Sequence, residues 1–431
     1  MPSIRHLVRP LAHAVTLGVI LPTLTVLSPA ALAAVPDYDE PRLVARTNFT
    51  GAFMLPDGVF ATNSTPSLAD DGRVALYLSF MPGDVRGVFV EGAGVAFTGE
   101  VGALLSDVSL NASGFVVFPQ SFSSQDGVYF YDDADSSSGF LTGEPFGATT
   151  FSSPQTNEAG DVGLRGGFSA GRVFTIWDGS SAVNVAVEAG LDAGSPYSFL
   201  FTPSFDGEDV PGRGIAGKVR LGMNGQTGGD QPDEIRIFRV GGSTLIAEDQ
   251  DAEPSSQFDS FDNGVSFRTG TGGDRVAFIA TLTTGVRGVF VGDGATTTTI
   301  ALDKDPRVTE IEFFHPVVNE DGLVAFRGVD ENGLQALFIG DGTTLVRLIG
   351  EHDLIATDLG TARIDQNDGS PVFGGAPAIN AAGDIAIRAT LTPPDNDQVE
   401  WGTGLFVFPA GALFRDGFES GDLTGWGAVV P

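Results

Sequence analysis

The chain contains no cysteine. That absence excludes a disulfide framework, cysteine-ligated zinc or iron–sulfur centres, and a thiol nucleophile. Lysine is almost missing too: Lys218 and Lys304 stand alone, and all basic residues together number 23 against 55 acids. The net charge of −32 repels phosphate backbones and anionic headgroups, so nucleic acid is excluded as a partner. Long uninterrupted helical stretches are also lacking, because 59 Gly and 25 Pro break up the 431 residues about once every five positions. The chain reads as mostly β. Hydrophobic residues nevertheless make up 42%, enough to bury a sizeable core in spite of the acidic excess.

The first residues have the form of a secretory signal. A basic start (Arg5, Arg9) precedes an apolar run from Leu11 to Leu27 and the small-residue site Ala31-Leu32-Ala33, which predicts a signal peptide over 1–33 and a mature chain beginning near Ala34. Its loss leaves 21 basic residues against 55 acids, a net of −34. No later stretch is long and apolar enough to cross a bilayer. The expected location is therefore periplasmic, extracellular or on the cell surface.

Residues 34–411 repeat. The unit is clearest in Pro316-Val-Val-Asn319-Glu-Asp-Gly322-Leu-Val-Ala325-Phe326 and in Pro377-Ala-Ile-Asn380-Ala-Ala-Gly383-Asp-Ile-Ala386-Ile387. Further copies are anchored at Gly72, Gly114 and Gly160, and two degraded ones at Gly217 and Asp274, where Gly214 and Thr271 fall in the Asn slot. Ala69 takes that slot in the first copy. A second short strand follows each anchor, as in Gly288-Val-Phe-Val291, often running into Gly-Asp-Gly (292–294, 340–342), a sequence suited to a tight hairpin. Seven units of roughly 50 residues with about four short strands each are what β-propeller blades require, because one small twisted sheet must pack between neighbours. The expected fold is thus an all-β, seven-bladed propeller. The segment Arg42-Leu-Val-Ala-Arg46 reads as the end of a repeat, and the chain near Phe408 reads as the start of one. The N-terminal strand should therefore complete the last blade and remove open sheet edges.

The repeat resembles a tandem-repeat family of exported bacterial proteins with the consensus Asn-x-x-Gly-x-x-x-Ala-Phe and various C-terminal anchors. Here two residues, not three, separate Gly from Ala, and the sixth repeat alone combines Asn319, Gly322, Ala325 and Phe326. The resemblance implies export and the repeat architecture, and it implies no activity.

Motifs that could carry chemistry fit the repeat better than a reaction. Gly167-Phe-Ser169-Ala-Gly171 matches a nucleophile elbow, yet it falls in a hairpin where a strand, turn and helix are required. Gly212-Arg-Gly214-Ile-Ala-Gly217-Lys218 nearly satisfies a phosphate loop, but Val219 stands where Ser or Thr should hold magnesium, and a strand follows. His315, just before a repeat Pro, and His352, beside Asp353, read as solvent-facing turn residues. Asp249/Asp251, Asp303/Asp305 and Glu351/Asp353 recur in one repeat slot, which points to turn capping. Asp132-Asp133-Asp135 is the densest acidic cluster and leaves a weak calcium site open. Asn48, Asn63 and Asn111 begin sequons only in form. No catalytic residue and no cofactor is assigned.

Residues 412–431, with Asp416-Gly-Phe-Glu-Ser-Gly-Asp-Leu-Thr-Gly-Trp426, resemble a tail found on many exported bacterial proteins and read as a flexible appendage. The functional expectation is a monomeric, non-catalytic binding or surface-display propeller whose ligand is a glycan or an envelope protein. The alternatives are a propeller enzyme acting on polysaccharide and a purely structural envelope protein. An enzyme should gather acids at the central channel, and a binder should show exposed aromatics in irregular loops. The candidate ligand site is the insertion 392–404, with Trp401, Asp395, Asp397 and Glu400, since loops that depart from a repeat are where function is added.

Overall fold

The computed structural model describes residues 34–411 apart from 62–63, 122–125, 143–147, 208–211, 223–230 and 368–369. The segment read as a signal peptide, the tail with Trp426, the Asn63 sequon and residues 223–230 lie outside the described residues. Every regular element among the described residues is a strand. These strands form seven antiparallel sheets.

Blades 3, 4 and 5 each hold four strands in chain order. Blade 3 runs through Thr150–Thr156, Val162–Phe168, Gly171–Trp177 and Ala182–Val187. Blade 4 uses Tyr197–Asp206, Gly214–Leu221, Asp233–Arg239 and Gly242–Glu248, and blade 5 uses Phe258–Gly270, Gly273–Leu282, Arg287–Gly292 and Thr297–Leu302. In blades 1, 2 and 6 the innermost strand is split into two short pieces, for example Glu310–Ile311 and Val317–Val318, both paired to Val324–Val329. Blade 7 combines Phe373–Ile379, Ile385–Thr392 and Gly402–Phe408 with Arg42–Arg46 as its outermost strand, and it carries the extra hairpin Leu354–Thr357/Gly360–Ile364. The closing register pairs Arg42 with Val407 and Arg46 with Gly404. The ring is closed by joining the two ends of the chain, as the repeat boundaries predicted.

The core is divided in the same way. Seven hydrophobic clusters occur, one at each blade boundary, including the boundary between blade 7 and blade 1, where Val44, Ala45 and Leu405 meet Leu68 and Leu76. A strand in mid-blade must therefore be apolar on both faces, which is why Val324–Val329 is buried along almost its whole length.

The Asn-x-x-Gly motif has a physical role at these boundaries. Asn319 Oδ1 accepts from Leu323 N at 2.9 Å, closing its own turn, while Nδ2 donates to Ala381 O of the next blade at 3.4 Å. Asn111, Asn157 and Asn380 repeat the arrangement, reaching Asn157 O, Gly207 O and Ala69 O. All four are buried. The turn needs a left-handed residue, and Gly322 supplies it at φ 86°.

Two repeats sit in a different register from the one their sequences suggest. In blade 4, Phe205 pairs with Ile215 and Ser204 with Ala216, as Val318 pairs with Val324 and Val317 with Ala325 in blade 6. Asp206 therefore occupies the Asn slot, not Gly214, and Gly217 lies inside the strand. There it clears the ring of Phe174, which a Cβ would approach to 2.9 Å. In blade 5, Phe267 pairs with Val276, so Arg268 takes the Asn slot in place of Thr271. Both shifts arise because the first hairpin of these blades is longer than in the other repeats.

Candidate functional site

Each blade starts at the axis and steps outward, so all innermost strands run in one direction along a central channel. Their side chains line a cavity of about 710 Å³. One end is formed by the Asn-x-x-Gly turns. The other is formed by the connections between blades and those between second and third strands.

The turn end is acidic. Asp70, Glu158, Asp206 and Glu320 line it, with Arg268 among them. Asp70 Oδ1 accepts from Ala381 N at 2.9 Å, Glu158 Oε2 from Ala112 N at 2.9 Å and Asp206 Oδ2 from Thr269 N at 2.7 Å, each across a blade boundary. Arg268 stands 3.6 Å from Asp206, so an ion pair replaces the amide link made elsewhere by Asn. Burial raises the Asp206 pKa against the opposing pull of Arg268. Glu320 is raised by burial first, and then by the charges of Asp206 and Asp70.

At the loop end the channel is lined by Thr65, Asp107, Ser153, Thr202 and His315. His315 does not face bulk solvent as the sequence suggested. The residue before the repeat Pro is the first to point at the axis, and there His315 Cβ lies so close to Gly264 that a Cβ on the glycine would come within 2.9 Å. Burial lowers its pKa, opposed by Asp107.

The surface around this mouth is irregular and partly apolar. Phe49, Phe53, Met81, Val101, Leu104, Phe313 and Leu354 are all exposed in its connections. Phe313 is the extreme case at 80% exposure. Its ring rests over the Arg287 guanidinium at 4.3 Å, and that guanidinium is locked by Asp262 through contacts of 2.5 and 3.1 Å. One face of the ring is thus occupied and its position held. The next residue, Phe314, turns inward over Arg327 at 3.9 Å, and Arg327 is paired to Glu312 at 2.5 Å.

The sequence-predicted ligand residues divide. Trp401 packs partly buried against the cluster between blades 6 and 7, and its carbonyl accepts from Arg46 Nη1 at 3.1 Å. Asp395 and Asp397 are exposed at the tip of the insertion, and Glu400 lies half-buried with its carbonyl bonded to Asn48 Nδ2 at 3.3 Å. None of the four lines the central channel.

The other motifs have structural work. Ser169 lies in the two-residue turn joining Val162–Phe168 to Gly171–Trp177. Lys218 Nζ, in the phosphate-loop look-alike, donates to Phe261 O at 2.8 Å and pairs with Asp233 at 3.0 Å. The recurrent acids cap backbone: Asp303 Oδ1 accepts from Ile311 N at 2.7 Å, and Asp249 from Ala252 N and Asp233 N. Asp132 and Asp135 cap Ala134 N and Ser137 N, while Asp133 pairs with Arg73. His352 sits in a left-handed turn position at φ 70°. Its Nε2 lies 3.9 Å from Glu351 and 3.8 Å from Asp365, the one grouping among the described residues whose donor atoms are close enough for a metal, although Arg363 already pairs with Asp365 at 2.5 Å.

The end of the described chain lies at the turn end of blade 7, where Gly411 N donates to Asp37 O at 2.6 Å and Tyr38 OH to Gly383 O at 3.0 Å. The exposed loops therefore lie on the face away from Asp37 and Gly411. No helix among the described residues is long and apolar enough to cross a membrane.

No family model and no curated protein matches the sequence. Solved structures similar to this chain include the β-propeller domain of the Trilobed protease from Pyrococcus furiosus, at 13% identity over 82% of this chain and 93% of that one, with a TM-score of 0.47. Oligogalacturonate lyase in complex with manganese is 10% identical over 88% of this chain and 99% of the other, with a TM-score of 0.46. The Aleuria aurantia lectin is 10% identical, covering 81% and 96%, with a TM-score of 0.37. At such identities the likeness reaches no further than the propeller fold.

Proposed function

We propose that the chain is an exported, non-catalytic binding propeller that takes a carbohydrate chain on its loop-end face. The observation supporting this reading is Phe313, an almost fully exposed ring fixed in place by Arg287. Such a ring offers its free face to the apolar C–H face of a sugar, and Asp262, which holds Arg287, stands beside it to meet hydroxyl groups. The test is a glycan-array screen with protein beginning at Ala34, followed by titration of Phe313→Ala against the glycan retained. A loss of tenfold or more in affinity supports the reading. Unchanged affinity, or an array with no retained glycan, overturns it.

The acidic channel end favours a second reading, a hydrolase or lyase acting on polysaccharide. Glu320 accepts no hydrogen bond from the described residues and has the raised pKa of a proton donor, beside Asp206. Against it, Asp70, Glu158 and Asp206 are each engaged in holding a neighbouring blade. Release of reducing ends from a polysaccharide, abolished by Glu320→Gln, would establish the enzyme.

A further inference from the structure

Arg388 lies in the middle of the strand Ile385–Thr392, the second of blade 7. Its neighbours Ile387, Ala389 and Leu391 face blade 6, whereas Ala386 belongs to the cluster shared with blade 1, so strand alternation turns Arg388 toward blade 1. The side chain is 2% exposed. Its register partner is Gly374, and the guanidinium lies against that bare Cα so closely that a Cβ there would fall 1.7 Å from Nη2. The next residue, Gly375, is pressed on the blade 1 backbone, where a Cβ would meet Ser64 O at 2.5 Å. The Nη2 end of the guanidinium is thus packed against the blade's own backbone.

Among the described residues it has no counter-charge. Nε and Nη1 are both buried with no hydrogen-bond partner. Burial, and then the charge of another buried cation, Arg327, lowers the Arg388 pKa to about 10. Arg327 is itself matched by Glu312 at 2.5 Å and by Gly375 O at 2.6 Å, so nothing is left over for Arg388. The other buried arginines among the described residues each have a carboxylate: Arg46 has Asp358, Arg220 has Asp233, Arg327 has Glu312, and Arg275 has Asp293 more loosely at 3.9 Å. An unmatched guanidinium in such a setting is costly enough that the folded protein should recruit an anion to it.

We infer that Arg388 is the core of a small-anion site inside blade 7, taking a monovalent inorganic ion such as chloride on its Nε–Nη1 edge. The site is independent of the loop-end surface and of whatever docks there. Its role is to complete the boundary between blade 7 and blade 1, the one where the ring is closed.

Thermal unfolding at constant ionic strength, with sodium gluconate exchanged stepwise for sodium chloride, tests this. The wild-type Tm should rise with chloride by about two degrees per tenfold increase above half-saturation. Arg388→Met should lose that response and should melt in gluconate no lower than the wild type, since it removes an uncompensated charge. A wild-type Tm indifferent to chloride, or an Arg388→Met protein with the wild-type response, overturns the site. If the variant does not fold, crystals of the wild-type protein in sodium bromide decide: an anomalous peak beside the Arg388 guanidinium supports the inference, and its absence refutes it.

Discussion

Arg46 and Asp358 are 312 residues apart in sequence and form a buried ion pair at 3.0 Å, with side chains 0% and 4% exposed. Arg46 ends the strand that closes the ring, and Asp358 occupies the tip of the extra hairpin of blade 7. The same guanidinium donates to the carbonyls of Thr47, Asn48 and Trp401. One side chain thus joins the closing strand, the hairpin and the insertion. Because its hydrogen-bonding capacity is filled, this pair should stabilise the closure even after desolvation.

Arg46→Ala should cost about 3–5 kcal/mol, because it strands a buried carboxylate and several carbonyls. Deleting the chain through Thr47 should cost more, exposing strand edges on Gly402–Phe408. Urea denaturation of both proteins measures this. A midpoint within error of the wild type for either one refutes the closure as a source of stability.

Asp358 also sets a pH dependence. Burial raises its pKa, but the hydrogen bond and charge of Arg46 outweigh that, and the net shift is downward. A depressed folded-state pKa stabilises above the unfolded value and is lost as pH falls through the folded value. Asp249 works in the opposite direction. Burial takes its pKa up to about 6, so the folded state binds the extra proton and its contribution declines as pH rises from about 4 to 6. Stability measured from pH 3 to 7 should therefore drop less steeply at the acid end in Asp358→Asn, and Asp249→Asn should flatten the decline between 4 and 6.

Asn380→Ala should cost about 1–3 kcal/mol. It leaves Ala69 O and Asp384 N without their buried partner at the boundary of blades 7 and 1. Asn380→Asp, which sets a buried carboxylate against that of Asp384 and the carbonyl of Ala69, should cost more than Asn380→Ala in chemical denaturation near neutral pH.

Trp401→Ala should lower stability by about 2–4 kcal/mol through lost packing on the cluster of blades 6 and 7. Phe313→Ala should leave the melting temperature within about a degree of the wild type, since most of its ring is exposed. If the pattern is reversed, with Trp401→Ala silent in stability and damaging to glycan affinity, the ligand lies on the insertion and not at Phe313.

The blade repeat was legible because it is local. Gly and Asn recur where a left-handed turn and a buried amide are required, and the strand pairs of each hairpin lie within a few residues of one another, so their pattern survives in a single sequence. The same locality failed in blades 4 and 5. There the first hairpin lengthens, and the spacing from Pro to Gly no longer reports the pairing, so Asp206 and Arg268 could not be recognised as occupants of the Asn slot. His315 was misplaced for a related reason: its neighbours in sequence resemble a turn, and only the ring geometry directs the residue before the repeat Pro toward the axis.

By itself the sequence determined the strand content, the number of blades, the acidic surface and the joining of the two ends in one blade. These follow from periodic burial and turn chemistry within about 50 residues. Only the tertiary structure decided which charges meet. Arg46 with Asp358, the acids that gather at one end of the channel, the exposed Phe313 above Arg287, and Arg388 without a partner all depend on contacts between segments far apart in the chain. Electrostatic matching in a low-dielectric interior is fixed by distances of a few ångströms, and no local pattern of residue types encodes those distances.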